Sequence, residues 1–211
     1  NVIRNIFYSF LYFNLFILML KKFKSYNFIL GSNSPRRKEI LKEIGLDFSI
    51  YPSNIDENFN KEIELEDIPV YLAEKKANAL KNKLKANDIV ITADTIVIYK
   101  NELLSKPENT YQAKEMLENL SGKSHKVITG VCLLSKNNKS IFSSKTIVTF
   151  NDLDKFEIEF YINKYKPFDK AGSYGIQEWI GLIGVKNIEG SYTNVVGLPA
   201  SKVYTELKKF I

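Results

Sequence analysis

Two adjacent arginines, Arg36 and Arg37, stand where arginine is least expected. The stretch Ser32-Asn33-Ser34-Pro35-Arg36-Arg37 follows a short apolar run, Phe28-Ile29-Leu30, and opens a helix. Ser34 suits the N-cap and Pro35 the first helical position. A helix N-terminus already carries partial positive charge, so cations in its first turn cost stability unless an anion joins them. Arg37 also falls in line with Ile40, Leu41 and Ile44 at helical spacing, and therefore points inward. Phosphate is the natural anion, because free backbone N–H groups and guanidinium forks both hold it well. Of 30 basic residues only Arg4, Arg36 and Arg37 are arginines. In such a chain an arginine pair implies planar, bidentate contacts that lysine cannot make. The plainer alternative is a surface pair at the start of an exposed helix.

Asp94 is the best catalytic candidate. It lies within the apolar run from Ile89 to Ile98, where a buried carboxylate costs several kcal/mol unless it is paired or metal-bound. Its plainer alternative is a turn aspartate joining two strands. Asp56-Glu57 is a second acidic pair; loop acids are usually just solvated, but with Asp94 they would offer oxygens to Mg²⁺, which takes one or two carboxylates plus phosphates and waters. Arg37, Lys76 and Lys106 would place positive charge around a polyphosphate. Lys76 sits inside the helical stripe Leu72, Ala73, Ala77 and Leu80, and Lys106 is pinned by Pro107. Neighbouring Lys75 lies off that stripe and reads as a solvated charge. His125, the one histidine, reads as a structural hydrogen-bonder rather than a base. There is no Walker loop, zinc-ligand spacing or Gly-x-Ser-x-Gly elbow.

These residues need an alternating scaffold, and the pattern supplies one. Strands are expected over 28–31, 47–52, 88–93, 96–99, 126–134, 139–150 and 182–188. Helices are expected over 36–44, 68–84, 110–120, 152–164 and 199–210. Asp67 is the expected cap of the second helix. Asp94-Thr95 is expected to interrupt a strand, and Asn137-Asn138 to turn a hairpin. The fold class is therefore α/β, a mixed twisted sheet with flanking helices around a central cleft.

The formal net charge of +6 permits an anionic partner. The lysines are scattered and alternate with acids, so no nucleic-acid groove is expected. Cys132 is single, which excludes an internal disulfide and a zinc cluster; a buried, inert thiol is expected. Residues 1–24 form an apolar segment ending in Lys21, Lys22 and Lys24, short for a bilayer span. It is read as an anchor, a targeting segment or a mispredicted start, separate from a domain over 25–211. Membrane contact is expected only if residues 1–24 are retained.

The ordered motifs resemble the Maf family of nucleoside triphosphate pyrophosphatases from Asn27 to the C-terminus. They are Ser32-x-Ser34-Pro35-Arg36-Arg37, Asp56-Glu57, Ala73-x-x-Lys76-Ala77, Ala93-Asp94-Thr95, Lys106-Pro107, Ser121-Gly122-x-x-His125, Asp169-Lys170-Ala171-Gly172-x-Tyr174-Gly175-Ile176-Gln177 and Val196-Gly197-Leu198-Pro199. The resemblance implies conversion of a nucleoside triphosphate and water to the monophosphate and pyrophosphate, with Mg²⁺ or Mn²⁺. It makes Asp94 the proton acceptor, with Lys106 beside it in catalysis, and Glu57 and Asp94 the metal ligands. Ser32, Arg37, Lys76 and Lys106 match phosphate-holding positions. Arg36, Thr95 and Gln177 match positions that distinguish subfamilies, and their combination resembles the dTTP/UTP branch. A cytoplasmic homodimer goes with the resemblance; a membrane-tethered or organelle-targeted protein is the alternative that residues 1–24 allow. The alternatives in function are a catalytically silent nucleotide-binding regulator of cell division and a 7-methyl-GTP-type pyrophosphatase. Three features depart from the family pattern: Gly31 stands where alanine is commoner, Glu178-Trp179 follows Gln177 where glycine is usual, and the N-terminal segment has no counterpart.

Overall fold

The computed structural model describes residues 23–211, and the expected anchor or targeting segment lies almost wholly outside them. Among the described residues no helix is long and apolar enough to cross a membrane. Packing extends to Phe23, which is buried against Phe28 and Tyr204.

Strand β1 (Asn27–Leu30) feeds helix α1 (Pro35–Glu43), followed by β2 (Phe48–Ile50), α2 (Ile68–Asn78), β3 (Asp88–Tyr99) and β4 (Glu102–Leu104). Then come α3 (Thr110–Leu120), the hairpin β5 (Ser124–Leu134) and β6 (Lys139–Phe150), and α4 (Lys155–Tyr165). Helix α5 (Trp179–Gly184), β7 (Val185–Glu189), α6 (Tyr192–Val196) and α7 (Ala200–Phe210) complete the chain. The strands form one seven-stranded sheet in the order β2-β1-β3-β5-β6-β7, with β4 also on β3. Strands β2, β1 and β3 are parallel, while β3, β5, β6 and β7 run antiparallel, so the sheet is mixed as expected.

Local chemistry explains the elements around the cleft. Ser34 Oγ accepts the Arg37 N–H at 3.4 Å, Pro35 occupies the first turn, and Ile40 and Leu41 are buried. Gly45 ends α1 at φ +79°, a conformation that costs glycine least. Helix α2 buries Leu72, Ala73, Lys76 and Ala77 against the sheet, which is the stripe the sequence predicts.

Three expectations need correction. Asp94-Thr95 does not break a strand: β3 runs unbroken from Asp88 to Tyr99. Its neighbours break instead. Strand β1 pairs with β3 only as far as Ile91, and β4 joins it only from Val97. One edge of β3 is therefore left without a strand partner around Asp94 and Thr95, beyond the carboxyl end of β1. That is where α/β sheets open a crevice. Secondly, α2 stops at Asn78 and a single 3₁₀ turn covers Lys81–Lys83, while Asp67 makes no side-chain cap. Leu80 and Leu84 stay buried, so the apolar pattern persists after the helix has ended. Thirdly, the run expected as one strand over 182–188 divides into the end of α5 and β7.

Two packing details carry predictions. A Cβ on Gly31 would stand 2.5 Å from Thr92 Cγ2, and Thr92 cannot turn freely because its Oγ1 donates to the Ala73 carbonyl at 2.7 Å. Gly31→Ala should therefore lose about 1–3 kcal/mol in urea unfolding through overpacking. Adding Thr92→Ser, which deletes the crowding methyl, should recover part of that loss.

His125 is 2% exposed, lies edge-on to Phe150 and Tyr174, and shares a 2.8 Å hydrogen bond with the Tyr174 hydroxyl. Burial pushes it down from 6.5 to about 4. Between those values the unfolded chain takes up a proton that the folded chain refuses. This contribution to stability is complete above 6.5 and shrinks as pH falls toward 4, by about 3 kcal/mol in all. Unfolding free energies measured from pH 7 to pH 4.5 should show this slope, and His125→Gln should lack it.

Candidate active site

The open edge of β3 presents consecutive residues to opposite faces of the sheet. Asp94 turns toward α2, as does Thr92 two residues earlier. Lys76 of α2 meets it there: its Nζ lies 2.5 Å from Asp94 Oδ1 and 2.7 Å from Glu57 Oε1. The Lys76 and Asp94 side chains are 10% and 13% exposed, so this is a largely desolvated pair. Glu57, on the loop before α2, is half-exposed. Burial pushes its carboxyl up, but the Lys76 hydrogen bond and the fields of Lys76, Lys106 and Arg37 outweigh this and hold it below its ordinary value.

Thr95 turns to the other face, where Arg37 lies. The guanidinium donates to the Gly197 carbonyl at 2.9 Å, to Thr95 Oγ1 at 3.2 Å and to Ser32 Oγ at 3.4 Å. All three acceptors are uncharged. Burial pulls Arg37 below its ordinary value, Asp94 and Glu57 act to raise it, and the neighbouring Arg36 lowers it. Arg37 is thus inward-pointing and ringed by neutral oxygens, an arrangement that leaves its charge for an incoming anion. Arg36 points elsewhere and pairs with Asp169 at 3.2 Å.

A cavity of about 460 Å³ joins these groups. Ser32, Arg36, Arg37, Glu57, Lys76, Asp94, Thr95, Lys106 and Gln177 all line it. The sequence-predicted set therefore converges on one hollow, although its members span residues 32 to 177. Lys106, the half-exposed Glu57 and the α1 N-terminus give it polar lining, and Tyr174, Gly175 and Ile176 a less polar wall. Among the described residues no cluster of three or more His, Cys, Asp or Glu side chains forms a metal cage. Cys132 is buried in β5, and burial pushes its thiol up to about 12, so it is the inert thiol expected. Asp56 folds back on Asn58 instead of joining the carboxylate pair.

Residues 27–210 match the family model described as Maf-like protein. The chain belongs to the Maf family. This Maf chain is 50% identical over 192 residues to the dTTP/UTP pyrophosphatase of Phocaeicola vulgatus, covering 90% of this chain and all of that one. It is also 50% identical over 190 residues to the dTTP/UTP pyrophosphatase of Flavobacterium psychrophilum, covering 90% and 97% of the two chains. Among solved structures, the nucleoside-triphosphatase / dITP/XTP pyrophosphatase of Mycobacterium abscessus overlays at a TM-score of 0.40 and 11% identity, over 59% of this chain and 72% of that one.

Several residues that build this Maf site are not apparent from the sequence as site residues. Gly197, at φ +127°, presents the carbonyl that orients Arg37. Thr129 sits opposite Thr95 in the sheet, shares a 2.9 Å hydroxyl contact with it and donates to the Asn194 carbonyl. Lys170 is 9% exposed and bridges Asp169 and Glu178. Gly130 pairs directly with Asp94, and a Cβ there would stand 2.3 Å from the Pro69 and Val70 backbone. The first turn of α2 thus rests on bare backbone beside Asp94, which sets how closely Lys76 approaches. A strand-interior glycine is a sequence signal for such an approach.

Gly130→Ala must lift the start of α2 and carry Lys76 with it. The variant should lose about 2 kcal/mol or more of stability, seen as a lower melting temperature. Calorimetric titration with pyrophosphate should show weaker binding than in the parent.

Proposed function

We propose that the chain hydrolyses nucleoside triphosphates to the monophosphate and pyrophosphate, with dTTP and UTP favoured. The observation that carries this reading is the convergence of Arg37, Lys76 and Lys106 with the carboxylates of Asp94 and Glu57 in one cavity. The names of the relatives at 50% identity agree with it.

In this reading the phosphates lie between Arg37 on one face and Lys76 and Lys106 on the other, with Ser32 and the α1 N–H groups at their edge. Asp94 takes a proton from a water as the water oxygen bonds to the α-phosphorus. The bond from the α-phosphorus to the bridging oxygen breaks, and pyrophosphate leaves with the bonding pair. Lys76 holds Asp94 in place until substrate arrives and then faces the phosphate chain. Arg37 and Lys106 offset the charge that grows on the leaving group, and such charge stabilisation is often the largest part of catalysis. In the same reading Arg36, Thr95 and Gln177, which line the cavity, would meet the sugar and base.

The donor set fits a divalent cation. Asp94 and Glu57 each give one oxygen to Lys76, and among the described residues their second oxygens make no hydrogen bond. Two carboxylates with phosphate oxygens and waters are what Mg²⁺ takes, and Mn²⁺ accepts the same oxygen donors. When bound, the ion would neutralise phosphate charge and orient the chain for attack. A cytoplasmic homodimer goes with the same reading. Exposed Phe156 and Leu182 are apolar surface that a second subunit would cover.

Purified protein with Mg²⁺ should release monophosphate and pyrophosphate in equal amounts from dTTP and UTP, and lose this on chelation. 7-Methyl-GTP should be the poorer substrate. Asp94→Asn should still bind dTTP but turn it over about 10²–10⁴-fold more slowly, the usual cost of removing a general base. A protein that binds dTTP and never releases pyrophosphate would instead be the silent regulator.

A further inference from the structure

From Arg36 a chain of charges runs along the cavity through Asp169 and Lys170 to Glu178, and beyond Arg36 the proposed hydrolysis does not use it. Arg36 pairs with Asp169, Asp169 with Lys170 at 2.7 Å, and Lys170 with Glu178 at 3.0 Å. The other Glu178 oxygen accepts the Tyr161 hydroxyl hydrogen, and that hydroxyl oxygen accepts the Gly175 N–H at 2.9 Å. The network thus begins at Arg36 and ends on the backbone of Gly175, two residues before Gln177. All three of these residues line the cavity, whereas Glu178 and Tyr161 do not.

The segment it grips is held under strain. Ser173 is fully buried at φ +63°, a region costly for a residue with a Cβ, and its hydroxyl has no partner among the described residues. Next to it, a Cβ on Gly172 would stand 3.1 Å from the Val97 side chain of β3. A Cβ on Gly175 would stand 2.8 Å from the Glu178 carboxylate and 2.9 Å from Lys170 Cε, so both side-chain ends lie directly against this backbone. Helix α4 holds the far side twice, through Tyr161 on Glu178 and through Phe160, edge-on to Trp179 at 4.9 Å. The segment is thus tied at both ends and closely packed in the middle.

We propose that Glu178 is a positioning residue: through Lys170 and Tyr161 it fixes where the Tyr174–Gln177 wall stands, and that wall sets which base the cavity accepts. The inference rests on the reading of the cavity as a nucleoside triphosphate site. It assigns Glu178 no contact with substrate. Its action is on discrimination between bases, at a distance from the phosphate-binding groups around Asp94.

Steady-state kinetics on dTTP, UTP and GTP test this with Glu178→Gln, Tyr161→Phe and the double variant. Glu178→Gln keeps an acceptor for Tyr161 and loses the ion pair; Tyr161→Phe keeps the ion pair and loses the tie to Gly175. Each should raise KM for dTTP about tenfold and leave kcat within about threefold, the pattern of lost substrate positioning. The ratio of kcat/KM for dTTP over that for GTP should fall in both. The double variant should lose little more than the worse single one, because both cut one connection. Glu178 is partly exposed, so Glu178→Gln carries the test alone if Tyr161→Phe does not fold. An unchanged dTTP-to-GTP ratio, or an equal loss on all nucleotides with a lower melting temperature, overturns the inference and leaves the hydrolysis standing. Failure of the parent protein to hydrolyse any triphosphate overturns both.

Discussion

The structure depends on an ammonium group in the wrong place. Lys76 occupies a position in α2 that helical periodicity reserves for a core residue, and its side chain is only 10% exposed. An unpaired charge there is untenable. Removing one partner of a buried pair costs about 3–5 kcal/mol, because the remaining charge is left desolvated. Asp94 and Glu57 therefore do more than decorate a cleft. They make α2 compatible with the sheet, and in return α2 fixes the two carboxylates. Bare backbone at Gly130 allows the helix close enough for the bonds to form. Here fold stability and site geometry are one arrangement.

The same strand edge serves two cations without bringing them together. Because side chains alternate across a strand, Asp94 and Thr95 face opposite sides of the sheet. Lys76 is held on one side by Asp94 and Glu57, and Arg37 on the other by Thr95, Ser32 and the Gly197 carbonyl. Two positive groups that would repel in one plane are thereby separated by the sheet edge while both still line the cavity. The gap between the end of β1 and the start of β4 makes this edge available. A longer β1 would pair Asp94 away, and a longer β4 would cover Thr95.

What the sequence disclosed and what it hid follow from the range of the interactions involved. The cap at Ser34, the inward line of Arg37, the buried stripe of α2, helix α3 and the β5–β6 hairpin are decided within a few residues, and they read correctly. The continuity of β3 did not. A polar pair in an apolar run resembles a turn when the strand is seen alone, and only its partners' endpoints show that the break belongs to them. The end of α2 was missed because Leu80 and Leu84 stay buried after the helix has stopped, so burial outlasts the geometry that periodicity detects. Lys170 and Gly197 belong to motifs visible in the sequence, but their pairing with Glu178 and Arg37 is not, because those contacts exist only once the chain has folded. Chemistry concentrated in residue type, as in two arginines among many lysines, survives the loss of three-dimensional context. Chemistry created by contact does not.

The charges also explain why a cation belongs in the proposed reaction. Lys76 is opposed by two carboxylates, so that trio is formally one charge negative and cannot by itself attract a polyphosphate. Arg36 is likewise spent on Asp169. The uncommitted positive charge at the cavity is on Arg37, whose three bonds go to neutral oxygens, and on Lys106. Those two can receive the outer phosphates, but the phosphate nearest Asp94 would meet a negative trio. A divalent cation on the free carboxylate oxygens would reverse the sign of that corner and make it a phosphate site, and the Asp94 oxygen that Lys76 releases when it turns to the phosphates would be the one that takes the water's proton. On this argument the acidic pair has two uses at one place: it neutralises a buried lysine, and in the proposed reaction it would hold the ion that lets the substrate lie beside Asp94.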